Sequence, residues 1–110
     1  MEHTVSEREN LVIITLLGDV DLEFSGALRE ILLDAVVQAA GVVVDMSGVK
    51  MIDSSGVASL LEGFQTARKR GKGFVLADIG VAVDRVLKLA RLETVFEIAD
   101  GVDSACQTLA

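Results

Sequence analysis

The segment that determines the fold is Val42-Val43-Val44-Asp45-Met46-Ser47-Gly48-Val49-Lys50-Met51-Ile52-Asp53-Ser54-Ser55-Gly56-Val57. Its three leading valines are β-branched and uninterrupted, which is typical of a central strand that is covered on both faces. A short loop is predicted next, and a helix is predicted to begin at the polar Asp-Ser-Ser-Gly corner. Apolar residues then recur at the i, i+3, i+4, i+7 spacing of one helix face, from Val57 to Phe64.

Strands and helices alternate along the rest of the chain. Before the central strand, the apolar patterns predict an edge strand within residues 1–9, a strand at 11–17, a two-carboxylate loop at 18–21 and a helix from about Phe24 or Ser25. After the central strand, they predict a helix from about Ser55 to Arg70, a strand at 74–77 and a helix after Gly80. A strand at 94–98 and a last helix after Asp100 follow.

This order, β-β-α-β-α-β-α-β-α, predicts a single α/β domain over residues 1–110. We expect a mainly parallel sheet with right-handed crossovers, an antiparallel N-terminal edge strand and about four packed α-helices. Partners of such sheets usually meet the carboxyl ends of the strands. The Asp-Ser-Ser-Gly corner follows the central strand and lies at that end.

The bulk composition describes a folded, acidic domain. The 110 residues are 51% apolar and 25% charged, and the net charge is −7 with a pI of about 4.5. An acidic balance of this size argues against binding to nucleic acid or to an anionic membrane. Most of the acidic excess lies in residues 1–66, so we expect an acidic docking surface there.

The sequence also indicates a reducing compartment. Cys106 is the single cysteine and has no partner for an internal disulfide. The apolar runs are far shorter than the roughly 20 residues of a membrane span, and the segment after Met1 does not resemble a signal peptide. We therefore expect a cytoplasmic protein with no direct membrane insertion.

Enzyme chemistry is disfavoured by the residue inventory. The single histidine, His3, lies near the amino terminus, where it is a poor base for a hydrolytic triad. One histidine and one cysteine at opposite ends of the chain do not form a metal site, and no glycine-rich phosphate loop is present. Asp19 and Asp21 have the spacing of an acid–base pair but no facing group is evident. We expect no catalytic residue, no metal and no cofactor.

Ser54 has two interpretations. In the structural one, its hydroxyl is the N-cap of the helix and accepts a hydrogen bond from a first-turn amide. In the functional one, Ser54 accepts a phosphoryl group, which would meet free amides and the positive end of the helix dipole while adding negative charge beside Asp53. The spacing alone favours neither.

The segments Val43 to Val49 and Ile52 to Val57, preceded by Gly18-Asp19-Val20-Asp21, resemble the STAS domain, a family named for sulfate transporters and anti-sigma factor antagonists. The resemblance covers nearly the whole chain. Its stand-alone members, the anti-sigma factor antagonists, bind an anti-sigma factor that is also a serine kinase, and a phosphatase reverses the kinase reaction.

Carried over, the resemblance implies that Ser54 is the phosphoacceptor, with Ser55 as the alternate. It implies a partner-binding surface made of the family's acidic loop and serine corner: Asp19, Asp21, Asp53, Ser54, Ser55 and Gly56. The ATP and the metal ion belong to the kinase, so this chain needs no cofactor. A second branch of the family implies an alternative function, an accessory subunit that binds the ATPase of a lipid-trafficking ABC transporter.

Overall fold

A computed structural model describes residues 1–109, which form five strands and four helices in the predicted order. The elements are β1 (Glu2–Arg8), β2 (Leu11–Val20), α1 (Leu22–Gln38), β3 (Gly41–Ile52), α2 (Ser54–Lys69), β4 (Gly73–Ala77), α3 (Val81–Leu89), β5 (Glu97–Ala99) and α4 (Val102–Leu109).

The strands lie in the sheet in the order in which they occur in the chain, β1-β2-β3-β4-β5. β1 pairs antiparallel with β2, and the other neighbours are parallel. Because each right-handed crossover advances the sheet in the same direction, α1, α2 and α3 cover the same face. α4 follows the last strand and covers the opposite face. The predicted fold class is thus confirmed.

The alternation of side chains along each central strand divides the core between these two faces. In β3, Val42, Val44 and Met46 pack against α1, α2 and α3, whereas Val43 packs against α4. All four side chains have no solvent exposure. The prediction that the uninterrupted valine run is a strand covered on both faces is therefore confirmed.

The loop predicted between the central strand and its helix is wrong, because β3 continues to Ile52. The pairing passes from Thr15↔Asp45 to Leu17↔Gly48, so β3 contains one extra residue there, and a second irregularity follows Gly18. These are β-bulges. The Asp45 carboxylate accepts a hydrogen bond of 3.0 Å from the Ser47 amide. The polar Ser-Gly pair that indicated a loop instead belongs to a bulged strand.

Three other predicted boundaries also move. The two-carboxylate loop is mostly strand, since β2 extends to Val20 and its Val20 side chain is completely buried. α1 begins at Leu22, before the predicted start. β5 is confined to Glu97–Ala99, because the amides of Val95 and Phe96 donate to the carbonyl of Leu92 in a turn.

Lys72 caps the carboxyl end of α1 although it follows α2 in sequence. Its ammonium group donates to the carbonyl oxygens of Val36 and Val37 at 2.6 and 2.9 Å. We expect Lys72→Met to lower the free energy of unfolding by about 1 kcal/mol, because those carbonyls lose a charged donor at the helix end. Lys69→Met removes an exposed charge from the end of α2 and should change stability less. Urea denaturation of both variants would contradict this assignment if the two losses were equal.

Candidate functional site

The ends of β2 and β3 meet at Asp53, which connects both strands to two helices. Its amide donates to the carbonyl of Val20 at 3.1 Å. One carboxylate oxygen, Oδ1, accepts from the Gly56 amide at 3.0 Å, and the other, Oδ2, accepts from the Leu22 amide at 3.1 Å. One side chain therefore satisfies first-turn amides of both α2 and α1, which holds the amino ends of these helices together.

Ser54 is not the N-cap, so the structural interpretation of its hydroxyl is wrong. Asp53 occupies the cap position with extended backbone angles, and Ser54 is the first residue of α2. The Ser54 side chain is exposed. Within residues 1–109 its hydroxyl makes no hydrogen bond, and the amides of Ser54 and Ser55 donate to no protein acceptor. The sequence did not show whether Asp53 or Ser54 is the N-cap, because aspartate and serine are both preferred at the N-cap position.

Gly56 allows α2 to approach the end of β2 closely. A Cβ atom at this position would lie 2.8 Å from each of three atoms, namely Ile52 Cγ1, Val20 Cγ1 and the Val20 carbonyl oxygen. Since that oxygen is backbone, it has little freedom to move away. The glycine of the corner is therefore required for packing, and it positions the serine-bearing turn directly above the strand ends.

Ser59 connects the same two helices one turn further along. Its hydroxyl lies 3.0 Å from the carbonyl oxygen of Ser25 in α1 and 3.1 Å from that of Ser55 in α2. Ser59 is buried and Ser55 is half-buried. Of the two corner serines, Ser54 is thus the more exposed.

The two aspartates of the predicted acidic loop have different surroundings. Asp21 is the N-cap of α1, and its Oδ1 accepts from the Glu23 amide at 3.1 Å. Asp19 is exposed and lies opposite Met51 in the β2–β3 pairing. The strand ends bring both carboxylates to the same edge as Asp53, so the predicted residues do form one region. Two of the three aspartates also stabilise helix ends.

Two apolar residues of this region were missed by the sequence analysis. Leu22 is 73% exposed and Met51 is 44% exposed. The Leu22 amide donates to Asp53, and Met51 pairs with Asp19. The sequence contains an indication that Leu22 is exposed, because this apolar residue lies outside the apolar stripe of α1. We use the term corner surface for Asp19, Leu22, Met51, Asp53 and Ser54. Acidic groups that surround exposed apolar side chains are characteristic of a protein-binding surface.

The described residues offer little for chemistry at this surface. No group of three His, Cys, Asp or Glu side chains in residues 1–109 is arranged to hold a metal ion. His3 pairs with Leu16 in the edge hairpin, and Cys106 is buried in α4. A cavity of about 610 Å³ lies at the opposite end of the sheet and includes Arg8, Leu11 and Cys106 in its lining. None of the helices in this range is long and apolar enough to cross a bilayer.

Comparison with known proteins identifies the family. The family model described as "Mlab, STAS domain" matches residues 3–98. An anti-sigma-B factor antagonist of Bacillus subtilis is 23% identical over 103 residues, which are 94% of each chain. This chain belongs to the STAS domain family. Its curated relative is named for a regulatory role rather than for a catalysed reaction.

Solved structures agree with this fold. An anti-sigma factor antagonist from Mycobacterium paratuberculosis superposes with a TM-score of 0.89 at 22% identity, over 98% of this chain and 92% of that chain. SpoIIAA of Bacillus in its phosphorylated form superposes with a TM-score of 0.78 at 15% identity, over 99% of this chain and all of that chain. The predicted resemblance to the anti-sigma factor antagonists of this family is confirmed.

Proposed function

We propose that this chain is an anti-sigma factor antagonist, which binds an anti-sigma factor with serine kinase activity and is released when Ser54 carries a phosphoryl group. The single observation that carries this proposal is that the Ser54 hydroxyl is exposed at the first turn of α2 while Asp53 supplies the cap. The hydroxyl has no role in the fold and is accessible to a kinase.

The local geometry supports a charge switch. A phosphoryl group adds about −1.5 to −2 charges at neutral pH. The Asp53 carboxylate is held next to Ser54 by the amides of Gly56 and Leu22, and it does not move away from the new charge without uncapping α2 and losing its hydrogen bond to α1. The unoccupied amides of Ser54 and Ser55 are available to the phosphate oxygens. The change thus falls on surface charge, while the core beneath is unaltered.

The corner surface supports the partner side of the proposal. Its exposed Leu22 and Met51 supply apolar area, and Asp19 with Asp53 supplies negative charge that a basic partner surface complements. Phosphate at Ser54 would add charge to this surface and would have to be desolvated in the complex. An ATP-dependent kinase as partner also implies that the chain acts in the cytoplasm, with a phosphatase to reverse the reaction.

The direct test is capture of partners by the tagged protein from its own host, with identification by mass spectrometry. Recovery of a small serine kinase of the anti-sigma type, together with phosphate mapped to Ser54, is the expected result. Recovery of an ABC transporter ATPase with unmodified Ser54 would instead favour the accessory-subunit function. Phosphate mapped to Ser55 would reassign the acceptor, because the two serines are adjacent.

We expect Ser54→Glu to weaken binding of the captured kinase at least tenfold, which corresponds to about 1.4 kcal/mol. The reason is the added charge beside Asp53 on the corner surface. Ser54→Ala should retain binding and lose phosphorylation. Gln65→Glu adds the same charge to an exposed site further along α2 and serves as the matched control. Equal affinities of Ser54→Glu and Gln65→Glu, measured by titration calorimetry, would exclude the charge switch.

A further inference from the structure

β1 is a fully exposed edge strand. All seven of its residues, Glu2–Arg8, are exposed, and its seven pairs with β2 continue without a register shift. Its outer row of peptide groups has no partner strand within residues 1–109, because β1 ends the sheet. The other edge is formed by β5, which has only three residues. β1 is therefore the long, regular edge of this protein.

β1 is protected by charge alone. Edge strands are commonly protected by charged side chains, especially lysine, by proline or by a bulge, and β1 carries Glu2, Glu7 and Arg8. Glu2–Arg8 contains no proline and no lysine, and its pairing with β2 has no bulge. Val5 is 54% exposed at the middle of the strand. The edge is thus open to pairing, and its sequence decides which strand fits.

The sequence of β1 is complementary to a second copy of β1 that runs antiparallel to it, with the two Val5 residues opposite each other. In that antiparallel alignment Glu2 lies opposite Arg8, His3 lies opposite Glu7, Thr4 lies opposite Ser6 and Val5 lies opposite its own copy. Opposite charges and hydroxyl pairs in such positions stabilise paired strands. An alignment centred on Thr4 or on Ser6 loses the opposite-charge pairs between Glu2 and Arg8, so the sequence favours the register centred on Val5.

The faces of the sheet agree with this alignment. The pairing of β1 with β2 puts Thr4 opposite Thr15 and Val5 opposite Ile14. Even-numbered residues of β1 therefore lie on the α4 side, and odd-numbered residues lie on the side of the other helices. A two-fold axis perpendicular to the sheet keeps each face continuous, so even residues meet even and odd meet odd. Every pair named above satisfies this condition.

Arg8 has capacity for a second carboxylate. Its Nη1 donates to Asp103 Oδ1 at 2.7 Å, and the arginine side chain remains 49% exposed. A guanidinium group has five N–H donors, so Glu2 of a second chain can bind the free part of the group. The existing ion pair holds the arginine in place for that contact.

We propose that two copies of this chain pair antiparallel along β1, about a two-fold axis at Val5, to form one continuous ten-stranded sheet. The contact is isologous, since the same seven residues are contributed by both copies. It leaves the corner surface, at the ends of β2 and β3, outside the interface. The dimer is therefore independent of the partner proposed above.

Cysteine cross-linking tests the register directly. In a Cys106→Ala background, Val5→Cys should form a disulfide dimer on mild oxidation. Directly opposite Cβ atoms are about 4.5–5.5 Å apart, and a small shift brings them to the roughly 3.5–4.5 Å that a disulfide spans. His3→Cys and Glu7→Cys should each fail to cross-link alone but should cross-link when the two chains are mixed. Cross-linking of His3→Cys with itself, or none from any of these chains, would overturn the proposed pairing.

Sedimentation of the unmodified chain tests the dimer without cysteine chemistry. We expect a concentration-dependent dimer, and a Glu7→Lys substitution should raise its dissociation constant at least tenfold. Glu9→Lys makes the same charge change in the hairpin turn, outside the paired residues, and should leave the constant unchanged. A monomer at all concentrations, or equal effects of the two substitutions, would show that the β1 edge is not the contact.

Discussion

Replacing Asp53 with alanine is expected to lower the free energy of unfolding by about 2–3 kcal/mol. Loss of an N-cap alone costs about 1 kcal/mol. In this protein the same carboxylate also accepts the amide of Leu22, and hydrogen bonds to a charged group are worth about 1.5–3 kcal/mol. The substitution thus uncaps α2 and removes a connection to α1.

Urea denaturation of a small series measures this effect. Ser54→Ala is the matched control, because it removes a neighbouring exposed side chain with no hydrogen bond, and it should change stability by less than about 0.5 kcal/mol. Asp21→Ala removes one cap from one helix and should cost about 1 kcal/mol. If Ser54→Ala destabilised the protein as much as Asp53→Ala, the assignment of the cap would be incorrect.

The second large effect is expected from Gly56→Ala. In the interior of a helix this change normally stabilises a protein by up to about 1 kcal/mol. At Gly56 the added methyl group would be 2.8 Å from a backbone oxygen and from two buried side chains, so α2 would have to move away from the strand ends. Overpacking of this kind typically costs about 1–3 kcal/mol, so the sign is reversed.

Gly26→Ala is the matched control for this prediction. Gly26 lies in α1, and a Cβ atom there would have no atom within 4 Å apart from the neighbouring backbone of its own helix. We expect Gly26→Ala to stabilise the protein by a few tenths to about 1 kcal/mol. Thermal or urea unfolding should give opposite signs for the two glycines. A stabilised Gly56→Ala variant would show that the close approach of α2 is not required.

The fold was predictable because its signals are local. The valine run of β3 and the helical spacing that follows Val57 are each contained in a short stretch of neighbouring residues. The bulges of β3 were not predictable, since they depend on which β2 residue lies opposite Asp45 and Gly48. A Ser-Gly pair alone therefore does not distinguish a bulged strand from a loop.

The sequence indicated that the residues of the candidate site lie in one region, whereas the contacts of each residue come from the structure. Family resemblance indicated Asp53 and Ser54, but only the structure assigns the cap to Asp53. The bond from the Leu22 amide joins residues 31 positions apart, and no local pattern encodes it. The exposure of Leu22 and Met51 likewise depends on how the ends of α1 and β3 meet.

The agreement between strand order and chain order has a consequence for synthesis. Each parallel strand pairs with the strand that was made before it, so the sheet can extend one strand at a time as the chain emerges from the ribosome. The exception is the ion pair between Arg8 and Asp103, which joins residues 95 positions apart. α4 therefore packs over strands that are already paired.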